Sequence, residues 1–364
     1  MKLFDLVDEA EYLEAVKNKH IKTQVHPTAP YIIHNYTDSC TWDRVWNNST
    51  MTCRGLITHA VTGEIIARSI PKFFNWDQEE APTLKLSDRV FVVDKMDGSL
   101  GILYPMPDGS MAVATRGSFT SDQARWATEW LRLVTKVYRW KPDPDYTYLF
   151  EIIYPENRIV VDYGTREDIT FLMKIHNETG KAVHADHSLP GAIPVAHRYE
   201  ALTTWGDALS AEPRHNAEGF VIDILDTSLR VKIKYEDYKR LHRYVTGINE
   251  RHVWEAVMGH KDLKAEFEGA PDEFHDWVKE VADKLNWAFG TRTQEIDSEF
   301  YRVIEAFPNY THSDRGDFAR AVSKSPNRAA MFTLLDRKPI GDIIWKELKP
   351  FNPKSVRLVS SDAD

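Results

Sequence analysis

From about residue 50 to residue 235, apolar side chains recur at every second position in short runs; beyond about residue 240 they recur every third or fourth. That change of period constrains the fold more than any other feature. A strand turns alternate side chains to one face, whereas a helix returns to the same face after about 3.6 residues. The runs "GLITHAVTGEIIARSI", "RVFVVDKMDGSLGILY", "SMAVATRG", "YTYLFEIIYP", "RIVVDYG", "DITFLMKIH", "GFVIDIL" and "LRVKIKY" read as strands separated by Gly, Asp, Asn or Pro turns, a pattern that favours antiparallel sheets. Within them, Ala124, Ala127, Leu131 and Val134 predict a helix over residues 121–137 behind a serine cap.

In the later part, Phe274, Trp277, Val278, Val281 and Leu285 form one apolar stripe behind Pro271 and a predicted cap at Asp272. Similar patterns predict helices over 254–267, 296–307 and 318–322, and most of the tryptophans there fall at core spacing. The expected architecture is α+β: an antiparallel-sheet domain over residues 1–244, then an all-helical domain over 245–364. The closing "SVRLVSSDAD" is expected to be a frayed tail.

At 364 residues the chain has room for two cores. It has no apolar run near the length of a membrane span, and the opening "MKLFDLVDEAEYLEAVKNKH" is acidic and amphipathic rather than signal-like, so a cytoplasmic protein is expected. Cys40 and Cys53 are too few for a disulfide framework or a four-cysteine zinc site and are expected to be small buried residues. In "HADH", His184 and His187 lack a third ligand nearby in sequence and read as loop residues. A formal charge of −9 argues against non-specific coating of nucleic acid. Local basic surfaces remain open: residues 230–243 hold six Lys or Arg against two acids, and residues 315–357 hold ten against four.

The stretch "VVDKMDGSLGILY" reads first as a β-hairpin, with Asp97-Gly98 as its two-residue turn. The same turn letters recur at Asp108-Gly109-Ser110, where Met106 takes the place of Lys95. Turn chemistry therefore accounts for Asp-Gly-Ser but not for the lysine.

Lys95 acquires a context from residues on other strands. Lys-x-Asp-Gly-Ser is followed by Glu151 in an apolar strand, by Glu-Gly-Phe-Val from Glu218, and by Lys232-x-Lys234, whose two lysines share one strand face. This ordered set resembles the covalent nucleotidyltransferases, the ligases and capping enzymes. In its finer letters, "CRG", "RSIPKFFN", "KMDGSL", "RGSFTSDQA", "FEIIYPENRIV", "NETG", "EGFV" and "KIKYEDYKRLH", the stretch from Tyr36 to His242 is similar to the phage-type RNA ligase 1 family.

The resemblance implies an ATP-dependent RNA ligase that joins 5′-phosphate and 3′-hydroxyl ends through a lysyl-AMP intermediate and an adenylylated RNA. Lys95 would be the nucleophile. Asp97 and Glu218 would orient it and a hydrated Mg2+ or Mn2+; Arg54, Lys72, Lys232 and Lys234 would hold phosphates; Glu151 would meet the ribose. Tyr36 would touch the nucleotide, and Gly98 would admit it closely. Arg116 stands where the family more often has lysine, and a planar guanidinium is not a point ammonium. In the second domain "KDLKA" echoes an acidic metal-binding pair, with Lys261 replacing one acid and Asp262 the other candidate ligand.

The chemistry fits these residue types. An ordinary lysine has a pKa of about 10.4, and lowering it by about three units requires about 4 kcal/mol of differential interaction. Neighbouring Lys232, Lys234 and a metal ion would supply this by repulsion. The implied partner is RNA, in this family often a tRNA nicked in the anticodon loop, with no membrane, a monomeric enzyme and, for a phage protein, the host cytoplasm. A DNA ligase or capping enzyme would normally append an OB-fold rather than helices, and a silent RNA-binding scaffold would need no nucleophile.

Overall fold

The computed structural model describes residues 1–225, 227, 229–239, 249–267, 272–308, 310–311 and 314–350. The chain divides into two compact units, Met1–Gly247 and Ile248–Asp364. The boundary expected at residues 244–245 and the expected tail both lie outside the described residues.

The first unit contains the strands β1 (Ile21–Val25), β2 (Tyr31–Tyr36), β3 (Arg54–His59), β4 (Ile65–Ala67), β5 (Phe74–Asn75), β6 (Val90–Lys95) and β7 (Ser99–Pro105). They are followed by β8 (Met111–Ala114), β9 (Tyr146–Ile153), β10 (Asp168–His176), β11 (Ala182–Val183), β12 (Gly219–Ile224) and β13 (Arg230–Lys234). Among the described residues these form three sheets, with strand orders β1-β2-β3-β4, β11-β10-β9-β7-β8 and β5-β13-β12-β6. All pairings are antiparallel except that of β5 with β13. The architecture is α+β, as the periodicity predicts.

The sheet centred on β9 is covered on both faces. Ile102, Tyr104, Leu149, Met173 and Ile175 pack with Tyr31, Ile33 and Ile57 of the first sheet. Leu103, Tyr148, Phe150, Ile152 and Phe171 face the helix Asp122–Tyr138 through its Ala127, Leu131 and Val134. Ser121 caps that helix by accepting from the Ala124 N–H. Full burial of a side chain such as Leu131 contributes about 1.5–3 kcal/mol. This double coverage explains why "YTYLFEII" is almost continuously apolar and makes Glu151 within it conspicuous.

Two expectations are corrected here. The segment "RIVVDYG" forms no strand, because the N–H groups of Val160 and Val161 donate to Oδ2 of Asp97 at 2.9 and 2.8 Å instead of to a neighbouring strand. And Asp97-Gly98 is not a hairpin turn: β6 belongs to the sheet of β12, while β7 pairs with β8 and β9. The chain crosses there from one sheet to another. The second Asp-Gly does turn a hairpin, between β7 and β8, with Gly109 at φ 81° and the Met106 N–H donating to Ser110 O at 2.8 Å.

The second unit is built around one long helix, Asp272–Ile304, which runs through Gly290 and joins what the sequence pattern divides into two helices. An exposed glycine costs a helix only about 1 kcal/mol, and Ile296 and its neighbours anchor the turns beyond it in the core. The helix expected over 254–267 is broken in two, Glu250–Met258 and Leu263–Glu266, with Gly259 at the first C-terminus. Helices Arg315–Ala321, Arg328–Leu335 and Gly341–Glu347 complete the described part, burying Phe318, Met331 and Ile344. Trp254 and Trp345 are core residues, whereas Trp287 is exposed. No described helix is long and apolar enough to cross a membrane. Both cysteines are buried.

Candidate active site

Lys95 ends β6, opposite Gly219 of β12, and Lys234 of β13 is the other partner of Gly219. Three adjacent strands thus bring two lysines to either side of one glycine. Glu218 precedes that glycine and links them: its Oε1 lies 2.8 Å from Lys95 Nζ and 3.0 Å from Lys234 Nζ. Burial raises the Glu218 carboxyl, but the two lysines outweigh it and hold the group below its ordinary range. Gly219 has φ 145°, and a Cβ there would lie 1.9 Å from Ile233 O. Only glycine permits this junction. Lys95 remains 21% exposed while Glu218 is almost fully buried, so Lys95 is the member of this pair that meets solvent. Lys232, opposite Val221, is buried two residues from Lys234.

Glu151 enters from β9, opposite Leu100 and Thr170. Burial pushes its carboxyl up to about 8, aided by Glu218 and Asp97 and opposed by Lys95 and Arg54. Its Cγ and the Ile152 carbonyl fill the space beside Gly98, where a Cβ would lie 2.5 Å from that oxygen. Gly98 therefore answers a close approach of strands, not a positive φ.

The hydrogen bonds described for Asp97 are made with Val160, Val161, Tyr163 and Tyr238 rather than with Lys95. Asp97 is a buried hub: Oδ2 accepts from Val160 and Val161, Oδ1 accepts from the Tyr238 hydroxyl at 2.8 Å, and its own N–H donates to Tyr163 Oη at 2.8 Å. Ser99 Oγ donates to Asn157 Oδ1 at 3.1 Å, and Asn157 donates to Ile152 O at 2.8 Å. These bonds fix the crossover that follows Lys95. Sequence reasoning missed Asn157, Tyr163 and Tyr238 as its anchors, although Asn157 and Tyr238 stand in motifs it singled out.

A basic wall surrounds Tyr36. Arg116 donates to its hydroxyl at 2.6 Å and stacks on its ring at 4.8 Å. Lys72 Nζ lies 3.5 Å from the same hydroxyl. Arg54, at the start of β3, lies over Phe73 and reaches Ile70 O at 3.5 Å. Arg116 presents a planar guanidinium to the Tyr36 ring, whereas a lysine such as Lys72 meets it with a point ammonium.

Asp262 lies in the second unit, where its carboxylate caps the helix Leu263–Glu266 by accepting from the Lys264 N–H at 3.0 Å. Among the described residues no group of three His, Cys, Asp or Glu side chains is arranged for a metal. His184 is not a ligand candidate: it stacks on Phe91 at 4.4 Å and contacts Asp223 at 2.5 Å.

A partly exposed lysine thus stands beside a second lysine, with an ionised carboxylate in contact with both and a further carboxyl nearby, an arrangement whose cations could be met by a bound anion. Residues 52–238, just over half of the chain, match the RNA ligase family model of the T4 ligase 1 type, and the chain belongs to that family. A protein named putative RNA ligase from Thermovibrio ammonificans is 30% identical over 201 residues, covering 52% of each chain. A putative bifunctional polynucleotide kinase/RNA ligase of Autographa californica nuclear polyhedrosis virus is 25% identical over 214 residues, 52% of this chain and 30% of that one. An RNA ligase of Rhodothermus phage RM378 is 22% identical over 344 residues, 74% of this chain and 75% of that one. The chain spans about half or less of the length of the first two relatives.

Proposed function

We propose that this chain is an ATP-dependent RNA ligase that joins 5′-phosphate to 3′-hydroxyl RNA ends. The observation that carries the reading is the partly exposed Lys95, its amine held against Glu218 beside Lys234, in a chain of the RNA ligase family. In the first step Lys95 Nζ attacks the α-phosphorus of ATP. A P–N bond forms, the bond from the α-phosphorus to the bridging oxygen breaks, pyrophosphate leaves, and the amine proton passes to water. The AMP then moves to an RNA 5′-phosphate, and a 3′-hydroxyl displaces it.

In-line transfer of this kind asks mainly for positioning and charge stabilisation. Lys234 shares the Glu218 carboxylate with the nucleophile, Lys232 lies two residues along the same strand, and Lys72, Arg54 and Arg116 would add positive charge for the triphosphate. Glu151, a carboxyl that is largely protonated at neutral pH, is suited to a sugar hydroxyl. Glu218, whose carboxyl is held below its ordinary range, would hold a divalent ion. When bound it would neutralise charge on the triphosphate and on the departing pyrophosphate. Nicked tRNA is the substrate in keeping with the family, and the enzyme acts as a monomer.

The test is incubation with α-labelled ATP or GTP and magnesium. A protein band labelled from ATP, and lost in Lys95→Ala, is expected. Label persisting in Lys95→Ala would move the nucleophile elsewhere, and label from GTP alone would make the chain a capping-type enzyme.

A further inference from the structure

One loop ties together the two stretches of chain that flank Lys95. Residues 214–217 lead directly into Glu218 and β12, and two side chains of the loop clamp it. The first is Arg214, whose guanidinium pairs with Oδ1 of Asp94, the residue before Lys95. Tyr199 shares the contact: its hydroxyl donates to the same oxygen at 2.6 Å, and Arg214 lies over its ring at 5.0 Å. Tyr199 is fixed in turn along the edge of β6, where its N–H donates to Val92 O at 3.0 Å and the Asp94 N–H donates to His197 O at 2.9 Å. Strand side chains alternate, so Asp94 takes the sheet face opposite to that of Lys95, and this clamp acts from behind the site.

The second is Asn216, in the left-handed region at φ 51°, a conformation that asparagine tolerates better than most residues. Its Oδ1 accepts from the Asp162 N–H at 2.8 Å, and its Nδ2 donates to Asp162 O at 2.7 Å. Asp162 follows Val160 and Val161, whose N–H groups hold Asp97 in the crossover after Lys95. The loop is thus tied to the chain before the lysine by Arg214 and to the chain after it, through Asp162, by Asn216. From between these ties it delivers Glu218. The pairing of β12 with β6 begins at Gly219, opposite Lys95, so Glu218 stands just outside that ladder, where the course of the loop sets the direction of its side chain.

We infer that Arg214 and Asn216 are positioning residues for adenylylation: their clamps set where the Glu218 carboxylate stands against the Lys95 amine. The inference rests on the reading of Lys95 as the nucleophile. Both residues act through Glu218 and neither meets the nucleotide.

The experiment follows label transfer from α-labelled ATP to the full chain in single turnovers over a range of ATP concentrations, with urea unfolding of each variant alongside. Arg214→Ala should lower the saturating rate about tenfold and leave the half-saturating ATP concentration within about twofold, since a displaced group beside the reacting atoms is felt in the chemical step. Asn216→Gly should do the same, because glycine keeps the left-handed backbone and removes only the two side-chain bonds. Arg214→Lys should stay within about threefold of the parent, since an ammonium can still pair with one carboxylate oxygen. In an Asp94→Ala background the loss from Arg214→Ala should shrink to about twofold or less, because the two changes act on one interaction. Unchanged saturating rates in folded Arg214→Ala and Asn216→Gly proteins overturn the inference. So does a loss confined to the half-saturating concentration, which would place the loop in ATP binding, or an Arg214→Ala loss of the same size with and without Asp94. If Arg214→Ala does not fold, Asn216→Gly decides alone. A parent that takes no label, or keeps it in Lys95→Ala, defeats the reading of Lys95 and the inference with it.

Discussion

Glu218 Oε1 and Lys95 Nζ stand 2.8 Å apart at the ends of neighbouring strands, and the same oxygen serves Lys234 at 3.0 Å. The lysines are thus joined by a carboxylate before any substrate arrives. Repulsion from Lys234, expected from the sequence as the force that frees the Lys95 amine, is screened in this arrangement. For it to act, Glu218 has to be drawn toward another cation, and a metal ion is the partner that suits an ionised carboxylate.

Lys232 and Lys234 should therefore matter most for the first chemical step. Changing either to alanine should slow self-adenylylation by about a hundredfold, the order of loss seen when one stabilising charge is removed from a reacting centre. Sealing of RNA supplied already adenylylated should fall much less. Equal losses in the two assays would place these lysines in RNA binding or in the fold.

The Asp97 hub gives a prediction about stability. Asp97→Asn should lower the unfolding free energy in urea by about 2–4 kcal/mol, because a buried acceptor of several bonds is partly replaced by a donor facing donors. Tyr163→Phe, which removes the partner of one N–H, should cost about 1–2 kcal/mol. It should also slow AMP transfer to Lys95 in a protein that is still folded. A Tyr163→Phe protein with unchanged stability and rate would remove the hub from the account of the site.

The pH dependence of stability isolates Glu151. Its folded-state carboxyl titrates near 8 against an ordinary 4.5, so between those values the folded chain binds more protons than the unfolded one. The stability it contributes is fully present below about 4.5 and is lost as the pH rises through about 8. His34 has the opposite slope, since burial lowers it to about 4 and the folded chain binds fewer protons than the unfolded one between that value and 6.5. The comparison must therefore be with Glu151→Gln. Relative to that variant, the wild-type melting temperature should decline from pH 5 to pH 8.5, and parallel profiles would show that Glu151 is not held protonated.

How much of this was legible in the sequence depended on whether the governing interaction was local. The helix Asp122–Tyr138, with its Ser121 cap and buried Ala124, Ala127, Leu131 and Val134, was readable because cap and stripe lie within one element. β9 and β13 were readable from alternation and apolar content. The hairpin at Asp97-Gly98 was misread because Asp-Gly states only that the chain changes direction there. Asp108-Gly109 turns back into its own sheet, while Asp97-Gly98 passes to another, and the difference lies in Val160, Val161 and Tyr238, distant in sequence. For the same reason "RIVVDYG" looked like a strand: its apolar letters pack as a strand's would, but a side-chain carboxylate takes its amides. β1 and β2 are short and lie outside the region read as strand-rich, and β2 carries the buried pair His34 and Asn35 amid its apolar residues. Lys95, Glu218, Lys232 and Lys234 were visible as letters, and their meeting at Gly219 needed the strand register.

The second unit offers the last prediction, through the basic excess over residues 315–357. Part of that charge is already matched: Arg315 pairs with Asp336 at 2.5 Å, and Arg320 contacts Asp317. Lys324 and Arg328 are exposed, and Arg328 lies over Phe332 at 5.9 Å, while Lys354 and Arg357 fall outside the described residues. If this surface neutralises RNA phosphates, affinity should fall with salt, and removing one cation that pairs with a phosphate should flatten the slope of log affinity against log salt by about 0.7 to 0.9. Charge reversal of Lys324 and Arg328 to glutamate should therefore flatten the slope by about 1.4 to 1.8 together. Arg320→Glu should do less, since Asp317 already offsets that charge. The changes should weaken ligation of nicked tRNA more than of short single strands and leave AMP transfer to Lys95 unaltered, because that chemistry belongs to groups of the first unit. Should the salt slope and the preference for structured RNA both survive the double reversal, the surface is a solvated face, and RNA must be held by the basic wall around Tyr36, Lys72 and Arg116.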